Sequence, residues 1–138
     1  MMVDIKDEGF EAFEKDLDYI INNMPRESRM ILRKMGAKAR VIIRKKVRQS
    51  VKRKTGNFER RWRYGRVYQR EAGSWMIRVY NNAPHAHLIE DGHRIVGKDG
   101  SEHGFVQGKK VIDLANSELE NVWEKTLRKE TEKIVKKI

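Results

Sequence analysis

Apolar residues recur every three or four positions in three long stretches of the chain. In residues 8–24 and 25–51 this spacing places them on one face of a helix, and the same pattern returns from Val111 onward. Pro25 separates the first two stretches, because proline suits the first turn of a helix but interrupts one that continues. The pattern therefore predicts two consecutive N-terminal helices and a C-terminal amphipathic helix.

Two details of these helices need further explanation. Gly36 lies in the middle of the second helix, where glycine is unfavourable, so we expect a close helix crossing at that position. The motif Ser117-x-x-Glu120 resembles a capping box. The last helix could therefore begin there, which would leave Val111–Leu114 as a short strand.

The centre of the chain has the character of a small antiparallel sheet. Arginine alternates with aromatic residues over 61–68, aromatic and β-branched residues dominate 75–80, and Glu71–Ser74 between them contains a glycine. Together these segments predict a hairpin. The preceding Lys54–Asn57 has the composition of a turn.

Glycines dominate the region between the predicted sheet and the last helix. Residues 85–91 are expected to form a short helix or turn that Gly92 closes, and four glycines in residues 93–110 favour a long exposed loop. The whole chain, residues 1–138, is therefore predicted to be a single α+β domain. It would contain two N-terminal helices, a small antiparallel sheet with a hairpin, a long Gly-rich loop and a C-terminal amphipathic helix.

The formal net charge of +11 is concentrated in one central segment. Residues 1–25 carry seven acidic and two basic residues, and residues 71–138 carry eleven of each. Residues 26–70, in contrast, carry eighteen basic and two acidic residues. This distribution favours a negatively charged partner, either nucleic acid or an acidic protein surface.

Aromatic residues interleave with this basic segment at Trp62, Tyr64 and Tyr68. Arginine beside aromatic rings is typical of a surface that binds single-stranded nucleic acid. The alternatives are a solvated helix face with a hairpin whose aromatics are core, or a subunit whose charge an acidic partner chain neutralises. The basic residues concerned are Arg40, Arg44, Lys45, Lys46, Arg48, Lys52, Arg53, Lys54, Arg60, Arg61, Arg63 and Arg66.

The sequence offers little support for an enzyme or a cofactor site. It has no cysteine and no phosphate-binding, dinucleotide-binding or serine-hydrolase motif. His85, His87 and His93 match a zinc site only weakly, so polar loop or interface histidines are the preferred interpretation. Glu90 and Asp91 favour a capping or interface role over acid–base catalysis, because adjacent side chains usually diverge. We expect no enzymatic activity, no cofactor, no signal peptide and no membrane contact.

Three short motifs, in this order, resemble a known family. They are Thr55-Gly56-Asn57-Phe58, the run from Asn82-Ala83-Pro84-His85 to Glu90-Asp91-Gly92-His93-Arg94, and Gly104-Phe105-Val106-Gln107-Gly108-Lys109. With them the chain resembles the head–tail joining, or tail-completion, proteins of long-tailed phages and prophages. The order of helices and strands agrees over most of the chain. His85, Phe105 and Gln107 depart from the tyrosine, tryptophan and glutamate that are usual in that family.

The resemblance implies a structural subunit that assembles as a ring, expected to be a hexamer, at the head-proximal end of a phage tail or phage-tail-like particle. Its partners would be copies of itself, the tail-tube protein and a head connector, stopper or collar protein. DNA contact stays open, and the location would be the neck of the virion after assembly in the host cytoplasm. From the residues alone, the second candidate is a small basic nucleic-acid-binding protein, such as a ribonuclease-type toxin.

Assembly contacts are expected in the basic segment and in the motifs. One hypothesis is that His93–Lys110 is a docking loop that becomes ordered on assembly. Another is that Arg40–Arg66 meets acidic surfaces of the tube or connector, or DNA in the channel. The candidate docking residues are Arg40, Arg44, Lys45, Arg48, Arg61, Arg63, Glu90, His93, Arg94, Phe105 and Gln107.

Overall fold

A computed structural model of the chain describes residues 8–51, 56–71 and 74–138. The α+β class is confirmed, with helices surrounding short antiparallel strand pairs. The elements in chain order are α1 (Glu8–Asn23), α2 (Pro25–Ser50), α3 (Asn57–Arg60), β1 (Trp62–Tyr64), β2 (Tyr68–Glu71), β3 (Ser74–Met76), β4 (Val79–Asn81), α4 (Ala86–Asp91), β5 (Gly92–Val96), β6 (Glu102–Gln107) and α5 (Val111–Val135).

The two predicted N-terminal helices are confirmed as α1 and α2. Pro25 occupies the first turn of α2, where its missing N–H leaves no helical hydrogen bond unmade. At the junction, the hydroxyl of Ser28 donates to the carbonyl oxygens of Ile20 at 3.1 Å and Met24 at 3.0 Å. This buried side chain therefore fixes the tight connection between the helices.

The C-terminal helix α5 begins at Val111, so the alternative with a short strand at Val111–Leu114 is wrong. Val111 and Ala115 are both fully buried, because their four-residue spacing places them on one inward helical face. Helix α5 packs along α2, and side chains of α2 reach it at both ends of the contact. Lys34 bonds to Glu130 at 2.8 Å near one end, and Lys46 lies 3.4 Å from Glu118 near the other.

The predicted central hairpin is confirmed, but it is divided into two separate strand pairs. β2 pairs with β3 and β1 pairs with β4, both antiparallel, and a backbone hydrogen bond from Gly65 to Arg78 continues the outer ladder. The expected helix crossing at Gly36 is wrong, because this glycine instead meets the sheet region. A Cβ at Gly36 would lie 2.8 Å from Ile77 Cδ1 and 3.2 Å from Tyr64 Cβ.

The long Gly-rich loop predicted for residues 93–110 is wrong in its conformation, although its exposure is confirmed. This region forms the antiparallel hairpin of β5 and β6. The side chains of its second strand are all exposed. They therefore lack the alternation between apolar and polar residues that reveals a half-buried strand. The dipeptide Asp99-Gly100, typical of hairpin turns, was the available signal.

Two clusters of buried side chains form the core. One joins the C-terminal half of α2 to Phe58, Trp62 and the first turns of α5. The other joins Ile20 of α1 to the N-terminal half of α2 and to Ile134 of α5. None of the helices in the described part of the chain combines the length and apolar character that a membrane crossing requires.

Candidate functional site

An exposed apolar surface lies on the hairpin formed by residues 92–107, which we call the arm. His93 pairs with Val106 and Arg94 with Phe105, so these pairs occupy opposite faces of the two strands. Phe105 is 57% exposed, and Ile95 and Val106 are also exposed. The arm therefore presents apolar side chains to solvent and brings four predicted docking residues together: His93, Arg94, Phe105 and Gln107.

The tip of the arm contains a chain of polar side chains. The hydroxyl of Ser101 donates to Asp99 Oδ1 at 2.5 Å and lies 2.8 Å from His103 Nε2. These hydrogen bonds from the side chain and backbone of Ser101 hold the pKa of Asp99 below its ordinary value. Because the carboxylate contacts the serine rather than the histidine, this is a turn-stabilising arrangement and not a serine–histidine–aspartate triad.

Two glycines allow the base of the arm to pack closely against the end of α4. Gly92 has φ +85°, and a Cβ there would collide with the carbonyl oxygen of Val106. A Cβ at Gly108 would collide with the carbonyl oxygen of Glu90. Two segments of the sequence motifs, Glu90-Asp91-Gly92 and Gln107-Gly108, therefore lie against each other in one close backbone contact.

Glu90 is partly buried at this junction. Its Oε1 accepts a hydrogen bond from the backbone N–H of Val111 at 2.7 Å, which caps the first turn of α5. The backbone N–H groups of Lys109 and Lys110 bond to the carbonyl oxygens of Ile89 and Glu90 at 2.8 and 3.1 Å. Helix α4, the arm and α5 are therefore joined at one point.

An apolar cleft of about 560 Å³ lies beside the base of the arm. It runs between the end of α2, α3, α4 and the arm. Polar side chains at its edge include Arg48, His85 and Gln107. Its apolar lining includes Val47, Val51, Phe58, Leu88, Ile89 and Val106.

The predicted basic residues on α2 serve mostly internal contacts. Arg40 donates from Nε to the carbonyl oxygen of Trp62 at 2.7 Å. The guanidinium groups of Arg44 and Arg48 lie 3.6 and 3.5 Å from Glu59 Oε1. Lys45, in contrast, is exposed and forms no ion pair with a described residue.

Arg61 is the C-cap residue of α3, and Arg63 is an exposed residue of β1. Arg63 Nη1 donates at 3.3 Å to the carbonyl oxygen of Trp62, the acceptor that Arg40 also uses. Trp62 itself is only 2% exposed and packs edge-on against Phe58, so it is a core residue and cannot stack on a base. Arg78 and Tyr80 are also exposed, although they were not among the predicted docking residues. Their alternation around the partly buried Val79 was the sequence signal for that placement. Lys52, Arg53 and Lys54 lie outside the described residues.

The three histidines do not form a metal centre. Across residues 8–51, 56–71 and 74–138, no three His, Asp or Glu side chains are arranged so that they could hold a metal ion. His85 and His93 border the cleft, and His87 is exposed on α4.

Comparison with known proteins identifies a family. The family model described as "Bacteriophage HK97-gp10, putative tail-component" matches residues 11–92, which extend from α1 to the first residue of the arm. No curated protein and no solved structure matches the chain. The match includes the motif Thr55-Gly56-Asn57-Phe58 and most of the run from Asn82 to Arg94, whereas Gly104–Lys109 lies beyond it.

Proposed function

This chain belongs to the HK97-gp10-like family of phage tail components, and we propose that it forms a ring that closes the head-proximal end of the tail. The family supports a structural role in the virion rather than an enzymatic one. The ring would rest on the tail-tube protein and face a head connector, stopper or collar protein. A hexamer is the proposed stoichiometry.

The arm supports assembly through copies of the same chain. An isolated two-stranded hairpin is marginally stable in water, and its unpaired strand edges offer hydrogen-bonding groups to another chain. In this protein both faces of the arm are exposed and carry Ile95, Phe105 and Val106. A neighbouring copy that covered these side chains would remove apolar surface from water, which favours association.

A head-to-tail contact between two different surfaces generates a closed ring when the rotation between copies closes. The arm supplies one such surface. The walls of the apolar cleft on α2, α3 and α4, with Val47, Phe58 and Leu88, supply a second apolar surface on the same subunit. Exposed Lys45 and the partly exposed Arg48 would then meet acidic groups of the tail-tube or connector protein.

The observation that carries the proposal is the exposure of Phe105, so the test is its replacement. Phe105→Ser should prevent ring formation by the full-length protein, as measured by sedimentation velocity and negative-stain electron microscopy. The assay would be run with the protein alone and with its tail-tube protein. Tyr19→Ser is the matched control, because Tyr19 is also 57% exposed but lies on α1.

Rings formed by the wild-type and Tyr19→Ser proteins, but not by Phe105→Ser, would support the arm as the subunit contact. Two results would contradict it. One is normal rings from Phe105→Ser. The other is a wild-type chain that stays monomeric even with the tail-tube protein at high concentration.

A further inference from the structure

Four side chains form a solvent-facing surface on and next to the β1–β4 pair. Arg63 lies directly opposite Tyr80 in the register. Two backbone hydrogen bonds extend this ladder, from the N–H of Asn82 to the carbonyl oxygen of Arg61 and from the N–H of Gly65 to that of Arg78. Because alternate residues of a strand share a face, Arg63, Tyr80 and Arg78 lie on one face, and Arg61, the C-cap residue of α3, directly precedes β1. All four are exposed, whereas Trp62 and Val79 point to the other side. We call this surface the arginine face.

The positive charges of the arginine face are not neutralised within the described chain. Arg61 donates to the amide oxygen of Asn57 at 2.8 Å, and Arg63 donates to the carbonyl oxygen of Arg60 at 2.7 Å. Both acceptors are uncharged. Arg78 forms no ion pair with a described residue. The basic side chains of α2 differ in this respect, because Arg44 and Arg48 lie beside the carboxylate of Glu59.

The shape of the face favours phosphate over bases as the ligand. Tyr80 is its only ring, and Tyr80 Cε1 lies 3.7 Å from the position that a Cβ on Gly65 would occupy. The ring thus lies over the glycine, and no second aromatic side chain of this face is available to hold a base on its other side. Three exposed guanidinium groups offer planar pairs of donors, which match the oxygens of phosphate.

From this arrangement we propose that the arginine face binds the phosphate backbone of double-stranded DNA, without reading its sequence. A duplex presents its phosphates outward and needs no pocket for splayed bases, whereas single-stranded nucleic acid is bound largely by stacking on aromatic rings. The site consists of Arg61, Arg63 and Arg78, with Tyr80 between them. This proposal does not depend on ring formation, since a single subunit contains the whole site.

Salt dependence provides the test. Each phosphate contact contributes roughly 0.9 to the slope of log K against log salt for duplex DNA. The variant Arg61→Gln/Arg63→Gln/Arg78→Gln should therefore give a slope shallower by about 3 in fluorescence anisotropy with a labelled 30-base-pair duplex. Between 50 and 200 mM salt, the wild-type protein should lose about 40-fold more affinity than this variant.

The control variant Lys125→Gln/Lys129→Gln/Lys136→Gln removes the same charge from exposed positions near the end of the chain. It should keep the wild-type slope. If both triple variants showed the same decrease in salt-dependence slope, the effect would come from overall charge alone, and the proposal would be overturned. A wild-type protein that binds only single-stranded DNA, or no DNA at 50 mM salt, would also overturn it. If the sheet variant does not fold, Arg78→Gln alone should make the slope shallower by about 1, and an unchanged slope would refute the site.

Discussion

The ammonium group of Lys34 lies 2.8 Å from the carboxylate of Glu130, which joins the first half of α2 to the end of α5. The Lys34 side chain is 43% exposed, whereas that of Glu130 is only 6% exposed. The hydrogen bond from Lys34 lowers the pKa of Glu130 below its ordinary value, and the charges of Lys34 and Lys133 act in the same direction, against the effect of burial. A nearly buried carboxylate is thus kept ionised by its neighbours.

The stabilisation that this ion pair provides should be lost in acid, when Glu130 becomes protonated. A carboxylate with a lowered pKa in the folded state stabilises the fold above its unfolded-state pKa, and this contribution is lost as the pH falls through the folded-state value. Lys34→Met should therefore lower the free energy of unfolding by about 1 kcal/mol at pH 7, a moderate value because solvent screens the exposed lysine. Below pH 4 the difference should shrink. Urea denaturation at several pH values measures it.

Lys129→Met is the control for that experiment, because Lys129 is an exposed lysine on α5, the helix that carries Glu130. It should leave both the stability and its pH dependence close to those of the wild-type protein. A constant difference between Lys34→Met and wild type from pH 7 to pH 3 would show that the pair does not titrate as expected.

Removing the cap of α5 should destabilise the protein. Glu90→Ala deletes the acceptor for the backbone N–H of Val111, the fully buried first residue of that helix. We expect a loss of about 1 kcal/mol in the free energy of unfolding. Glu90→Gln keeps a side-chain oxygen and should lose less than half as much. Equal losses from both substitutions would argue against the capping role.

The close backbone contact at Gly108 gives a steric prediction. A methyl group there would meet the backbone of Glu90 and Asp91, which cannot move without disturbing α4. Gly108→Ala should cost about 2 kcal/mol in thermal denaturation. Gly100→Ala serves as a comparison, because its Cβ would meet nothing within 4 Å and only its φ of +83° is unfavourable. It should cost about 1 kcal/mol.

Charge reversal on α2 should separate stability from docking. Lys45→Glu changes an exposed side chain and should leave the melting temperature within about 2 °C of the wild-type value. Arg44→Glu places a second carboxylate beside Glu59 and should lower the stability by about 1 kcal/mol. If α2 meets an acidic partner, Lys45→Glu should also reduce head–tail joining, as counted by electron microscopy of particles. Normal particle numbers would exclude Lys45 from the contact.

The arm should become less accessible to protease on assembly. Lys98 is exposed near its tip and offers a trypsin site in the isolated subunit. If neighbouring copies cover the arm, cleavage after Lys98 should slow at least tenfold in assembled rings, as followed by mass spectrometry. Cleavage after Lys15, which lies on α1 and outside the arm, provides the internal reference. Equal rates at Lys98 in both states would place the arm outside the contact.

The sequence predicted the elements whose side chains are divided between core and solvent. The helical spacing located α1 and α2 to within about one residue, and the alternation around Trp62 located the central strands. The strands of the arm were not predicted, because a hairpin that is exposed on both faces shows no alternation of apolar and polar residues. Gly36 was assigned the wrong neighbour because a missing side chain indicates close approach without indicating which element approaches.

The candidate docking residues were harder to predict, because the sequence cannot distinguish a basic side chain that binds within its own subunit from one that is available to a partner. Arg40, Arg44 and Arg48 are engaged by Trp62 and Glu59, and these contacts depend on how α2 packs against α3 and β1. Arg78 lies outside the most basic segment, yet strand pairing places it beside Arg63 and Tyr80 on the same face.

The junction at Glu90 and Gly108 also has a geometric consequence. Because hydrogen bonds tie Lys109, Lys110 and Val111, which follow the arm, to Ile89 and Glu90 of α4, the direction in which the arm leaves the subunit is set within a single chain. In a circular assembly built through that arm, this direction determines the angle between successive copies, and the angle determines how many copies complete the circle. A small bend at this joint would therefore alter the diameter of the channel that the circle encloses.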